Sequence, residues 1–168
     1  TDKLVWMNGV YIREMDGDAF VAEVRPLVET DLGRDLNEDE MATLAEIAPL
    51  VQERTKLLVD VAPQVAFLFG DIEYDEKSWN KIMTKEGAAE AVAGAAERLS
   101  KIDAWTLEAV ESALRQNLED LGLNARKGLQ PLRVAISGSS VSPPLFESIT
   151  ALGKEKSVAR LEAARARM

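Results

Sequence analysis

Apolar residues along this chain recur every three or four positions, the spacing of helices that turn one face inward. In the opening run KLVWMNGVYIRE, Leu4, Trp6, Met7, Val10 and Tyr11 share that spacing. They predict a first helix with an aromatic, apolar core stripe and Asp2 available as its cap. Asp16-Gly17-Asp18 interrupts the pattern and offers a new cap. Phe20, Val21, Val24, Leu27 and Val28 predict a second helix over 19–29, with Pro26 as a kink. The polar run TDLGRDLN ends at Asn37, and Glu40 follows three residues later. That is a capping-box spacing, and it opens a helix carrying Met41, Leu44, Ala45 and Ile47. Pro49 predicts a restart, with a further helix over 50–61 and a short apolar stretch from Pro63.

The acidic, turn-rich run GDIEYDE at 70–76 marks the expected joint between two subdomains, 1–70 and 71–168. Beyond it the periodicity predicts helices over 85–99, 104–121, 124–137, 145–152 and 154–167. Thr106 is the expected cap of the second of these, which carries Leu107, Val110, Leu114, Leu118 and Leu121 on one face. Gly128 and Pro131 fall inside the third. Pro144 suits the first turn of the fourth and Gly153 its end. GSSVSP at 138–143 is a loop. No segment alternates with period two for long enough to make a strand, so the predicted fold is all-α, two consecutive helical subdomains without internal repeats.

Composition then removes most chemistry. The 168 residues are 46% hydrophobic, enough for a core, and contain neither His nor Cys. Without them there is no disulfide, no thiolate, no imidazole base or metal ligand and no Ser–His–Asp triad. The acidic runs at 35–40 and 71–76 lack the glycine turn of a calcium loop and read as solvated helix starts and turns. No catalytic residue and no metal ligand are expected. No apolar run approaches the ~20 residues of a bilayer span, so no membrane is expected. The absence of Cys fits a cytoplasmic protein. A start at Thr1 without Met suggests a cut inside a longer chain.

Charge changes the picture once more. The net charge is −9, but residues 1–123 hold 12 Lys/Arg against 26 Asp/Glu, while 124–168 hold 8 against 3. The acidic total hides a basic end, and local patches decide phosphate binding. Arg133 stands just before the small-residue loop, and Leu145 and Phe146 stand on the first turn of the helix after it. A helix start presents unpaired N–H groups, and apolar side chains there can meet unstacked bases. Arg126, Lys127, Lys154, Lys156, Arg160, Arg165 and Arg167 supply positive charge nearby. Two readings stand: an RNA-binding end, or an all-α protein-interaction module whose basic C-terminal face is simply solvated or meets an acidic partner.

The segment PLRVAISGSSVSPPLFESITALGKEKSVARL closely resembles the C-terminal anticodon-binding end of bacterial glutamyl-tRNA synthetases, whose pattern there is roughly P-L-R-x-A-[LI]-[TS]-G, S/T-P, L-F-E, L-G-[KR]-E-[KR] and R-L. The start, KLVWMNGVYIRE, is similar to the K-L-x-W-[LM]-N-x-x-Y-[IL]-R stretch that follows that family's catalytic domain. The resemblance implies a module that binds glutamate tRNA, a monomer, working in protein synthesis. The family's chemistry belongs to a Rossmann-type domain that uses ATP and Mg²⁺ through a His-containing motif and a Lys-Met-Ser-Lys-Ser loop. This chain has neither motif, so the resemblance implies no cofactor and no aminoacylation by the fragment itself. It gives the anticodon contact of the P-L-R motif to Arg133 and the base pocket to Ser142, Pro143, Leu145 and Phe146. Ser142 keeps the hydroxyl of the Thr often found there without its methyl. An Arg that reads the third anticodon base in some members falls at Arg54, with Gln52 as the neighbouring register.

Overall fold

A computed structural model of the chain describes residues 2–168. Thr1, the site of the expected cut, lies outside them. Every regular element among the described residues is helical, so the all-α expectation holds. The chain divides into two compact units, Thr1–Asp71 and Ile72–Met168.

In the first unit, α1 (Asp2–Glu14), α2 (Gly17–Leu32), α3 (Glu38–Gln52) and the single turn α4 (Ala62–Val65) surround a core that includes Ile12, Phe20, Val24, Val28, Leu44, Ile47 and Val51. The local signals for where α2 and α3 begin are met, whereas Asp2 is the first residue of α1 rather than its cap. Asp16 accepts from Asp18 N, and Asn37 and Glu40 complete both halves of a capping box at the start of α3. Two further expectations fail. Pro49 does not restart the chain: α3 runs through it to Gln52, and 58–60 forms only a 3-10 turn. One lost backbone bond is offset because Ala48, Val51 and Gln52 are still buried on the same helix. The aromatic stripe of α1 is not core either. Trp6 is 66% and Tyr11 67% exposed, and Met7 and Leu4 are exposed as well. Helix α1 meets the rest of its unit along a narrower line, Val5, Asn8, Gly9 and Ile12, spaced i, i+3, i+4 and i+7. Asn8 donates to the Lys56 carbonyl, and buried Gln52 donates to the carbonyls of Ile12 (2.9 Å) and Met15 (2.8 Å).

The second unit starts with α5 (Glu76–Ser78) and a π turn (Trp79–Met83), a helical stretch the apolar pattern does not announce. Then come α6 (Ala88–Ser100), α7 (Leu107–Leu121), α8 (Ala125–Ser137), α9 (Leu145–Leu152) and α10 (Lys154–Arg167). Helix α6 is central and packs against α7, α8 and α10. Beside Val92 and Leu99 its inward residues are small: Ala88, Ala91, Ala95 and Ala96 are buried, and a side chain at Gly94 would overlap the Asn117 amide. That lets α7 cross closely, and buried Asn117 donates to the Ala91 carbonyl at 3.1 Å. On α7, Val110, Leu114 and Leu118 are buried, while Leu107 and Leu121 at the two ends are exposed. Pro144 is the residue before α9 rather than its first helical position.

Candidate nucleic-acid interface

Helix α8 opens on Asn124, whose side chain accepts from Lys127 N at 2.9 Å, and closes on Gly138. Gly138 must be glycine: its φ is +81°, and a side chain there would overlap the Glu73 carbonyl. The chain turns at this point into the 138–144 loop, and Arg133, one turn earlier, holds that loop. Its Nη1 donates to Ser142 Oγ at 2.5 Å, to the Pro143 carbonyl at 2.8 Å and to the Ser142 carbonyl at 3.4 Å. Ser142 Oγ in turn donates to the Pro143 carbonyl at 2.9 Å. The other side of the loop is tied to the start of the same unit. Asp75 N donates to the Gly138 carbonyl (2.8 Å), and Ser140 N donates to Ser78 Oγ (3.2 Å). Ser78 Oγ in turn donates to Asp75 Oδ2 at 2.6 Å. The Ser78 hydroxyl and backbone N–H hold the Asp75 carboxyl below the usual carboxylate range.

Arg133, Ser142 and Pro143 therefore form one hydrogen-bonded cluster. Ser142 is only 3% exposed, and Pro143 and Leu145 are buried with it. Phe146 is half-buried on the first turn of α9. Arg126 and Lys127 are exposed on the first turn of α8, and Lys156 is exposed on α10. Lys154 and Arg160 turn inward, to the carbonyls of Ile102 (2.6 Å) and Ile136 (2.8 Å). Arg54 belongs to the first unit. It is exposed on the turn after α3, and its Nη2 donates to Gln64 Oε1 at 3.2 Å.

Two arginines lie over aromatic rings that nothing in the sequence pairs with them. The Arg115 guanidinium lies 5.3 Å from the centre of the Phe146 ring, while its Nη2 bonds Glu111 at 2.8 Å. In sequence it is one half of an ordinary i, i+4 pair, and nothing local ties it to residue 146. Arg167 lies over both Tyr74 (4.9 Å) and Trp79 (4.7 Å), whose rings are 4.6 Å apart. Burial pushes the Tyr74 hydroxyl up, against the opposing charges of Arg167 and Arg160.

The chain has no His or Cys, and among the described residues no Asp and Glu gather into a group that could hold a metal ion. Among the described residues the carboxylates are therefore not arranged to hold the Mg²⁺ that accompanies ATP. Among the described residues no helix is long and apolar enough to cross a membrane.

Residues 19–165 match the family model described as anticodon binding domain. The chain is 37% identical over 170 residues to a glutamate–tRNA ligase of Cutibacterium acnes, which takes in 95% of the chain and 34% of that protein. It is 36% identical over 165 residues to glutamate–tRNA ligase 1 of Caldanaerobacter subterraneus, covering 96% of the chain and 34% of the relative. The chain thus spans about a third of the length of the curated relatives it matches. The crystal structure of a glutamate tRNA ligase from Elizabethkingia meningosepticum shares the fold, with a TM-score of 0.78 at 23% identity over 96% of the chain and 31% of that structure. The matched region is the anticodon-binding part of such ligases, and their catalytic domain lies outside it. By sequence and by fold, this chain belongs to the anticodon binding domain family.

Proposed function

We propose that the chain reads the anticodon end of glutamate tRNA on behalf of a glutamate–tRNA ligase. Activation of glutamate with ATP and Mg²⁺ then belongs to a catalytic domain beyond this region. The observation that carries the proposal is the loop clamped by Arg133. It fixes the turn between α8 and α9, with the Ser142 backbone for a base edge and with Phe146 beside Arg115 for stacking. Leu145 supports the pocket from beneath rather than facing solvent. Arg126, Lys127 and Lys156 supply the field that draws the phosphates, while Lys154 and Arg160 hold the ends of α10 and α8 in place. In the first unit Arg54 reads the third anticodon base. Gln52, the other register, is buried with its amide spent on α1, which supports Arg54 as the reader. Each unit brings its own contact to the anticodon, the chain works as a monomer, and its tRNA partner places it in the cytoplasm.

The test is binding of glutamate tRNA, and of the same tRNA with its anticodon exchanged, to the 168-residue chain and to Arg133→Ala. The expected result is a preference for the cognate anticodon that Arg133→Ala abolishes. Equal binding of both RNAs by the unmodified chain would refute base-specific reading.

A further inference from the structure

The first turn of α8 and the π turn at 79–83 border a cleft of about 610 Å³ on the second unit. Lys81, Lys85, Arg126 and Lys127 line it, against a single acid, Glu86. All four cations are exposed, and none makes an ion pair among the described residues, whereas Arg98, Lys101 and Arg115 elsewhere in the unit are all paired with carboxylates. The start of α8 adds its unpaired N–H groups and positive dipole end to the same wall.

The face of α8 that borders the cleft leads on to the Arg133 cluster. Arg126, Gln130 and Arg133 are spaced i, i+4 and i+7 on α8, so they share one face. Arg126 precedes Arg133 by two turns, about 10 Å along the axis. Gln130 lies between them and lines the cleft, and its Oε1 is buried with no donor among the described residues. A phosphate or a carboxylate brings only acceptors, so neither group by itself pairs that atom. A ribose beside each phosphate brings a 2′-hydroxyl that can donate.

We propose that this cleft holds the ribose-phosphate backbone of the RNA strand whose bases meet the Arg133 loop. Lys81 and Lys85 join Arg126 and Lys127 as phosphate contacts, and Gln130 is the acceptor that senses ribose. The inference rests on the anticodon reading for the identity of the strand, but its test is separable from that reading.

Binding of the 168-residue chain is measured against glutamate tRNA, the anticodon-exchanged tRNA, and RNA and DNA copies of the anticodon arm, over about 50 to 200 mM salt. Each lost phosphate contact removes about 0.7–0.9 from the slope of log affinity against log salt. Lys81→Gln/Lys85→Gln is therefore expected to lower the slope by roughly 1.4–1.8, weakening both tRNAs equally. Arg126→Gln/Lys127→Gln, on the opposite wall, is expected to do the same and guards against a folding defect in the first pair. Gln130→Leu is expected to erase a preference for the RNA arm over the DNA arm. An unchanged slope in both double variants overturns the proposal. So does equal binding of RNA and DNA by the unmodified chain, displacement of RNA by polyglutamate as readily as by RNA, or no RNA binding at all. If the unmodified chain binds both tRNAs equally while the lysine variant still loses slope, the anticodon reading falls and the cleft stands.

Discussion

Arg54 and Arg133 carry the same guanidinium on units of opposite character. The first unit, 1–71, has 6 basic and 15 acidic residues, and the second, 72–168, has 14 of each. Arg54 sits exposed on a turn, where its Nη2 donates to an amide oxygen, that of Gln64, ten residues on. Arg133 is half-buried and gives one nitrogen to three oxygens of the loop that it shapes. One arginine is displayed by a finished surface, whereas the other is part of what makes its surface. Their replacement should therefore separate binding from stability in the first unit and join them in the second.

The largest effect is expected at Gly138, because the whole loop departs from it. Gly138→Ala forces a left-handed backbone on alanine and overlaps the Glu73 carbonyl. It should cost about 2–5 kcal/mol in denaturant unfolding. Next comes the arginine pair itself. Arg133→Ala leaves the Ser142–Pro143 oxygens without their charged donor and should cost about 1.5–3 kcal/mol. Arg54→Ala should stay within about 0.5 kcal/mol. Equal losses in paired urea titrations would erase the contrast between the two arginines. Arg133→Lys should not restore the wild-type midpoint, since a point charge on a flexible stem does not reproduce the planar fork.

A smaller effect tests the first unit on its own terms. Asn37→Ala removes one half of the capping box of α3 and should lower stability by about 1 kcal/mol, read as a shift in urea midpoint without a change in slope. The smallest is a pH effect in the second unit. Asp75 has its folded pKa lowered from the ordinary 3.8, so its bonds to Ser78 stabilise the fold above that pH and are lost as pH falls through the folded value. Ser78→Ala should therefore be less stable than the parent near neutrality, with the gap closing in acid. A gap independent of pH would place the role of Ser78 in its contact with Ser140 instead.

What the sequence made legible was what neighbours within a turn decide. The starts of α2, α3, α7 and α8 at Asp16, Asn37, Thr106 and Asn124 each rest on a side chain reaching two or three residues ahead, and the end of α9 rests on Gly153. Hidden features were those settled by partners far along the chain. Pro49 stays helical because its neighbours are buried against α2 and α4. The aromatic residues of α1 stay exposed because the line through Gly9 and Ile12 is the one that packs. At the candidate site, Arg133 and Ser142 were readable as residues, but not that one bonds the other. Lys81 and Lys85 could not be linked to Arg126, because 40 residues of helix and turn lie between the two walls of their cleft.

The three bonds of Arg133 have a further consequence, which concerns when disorder is lost. A free arginine side chain samples many rotamers, and ordering one on binding costs about 0.5–1.5 kcal/mol. Here the stem and guanidinium are already fixed against Ser142 and Pro143 before any ligand arrives. The entropy is surrendered during folding, so a base that docks on this loop meets a side chain that no longer has to be ordered.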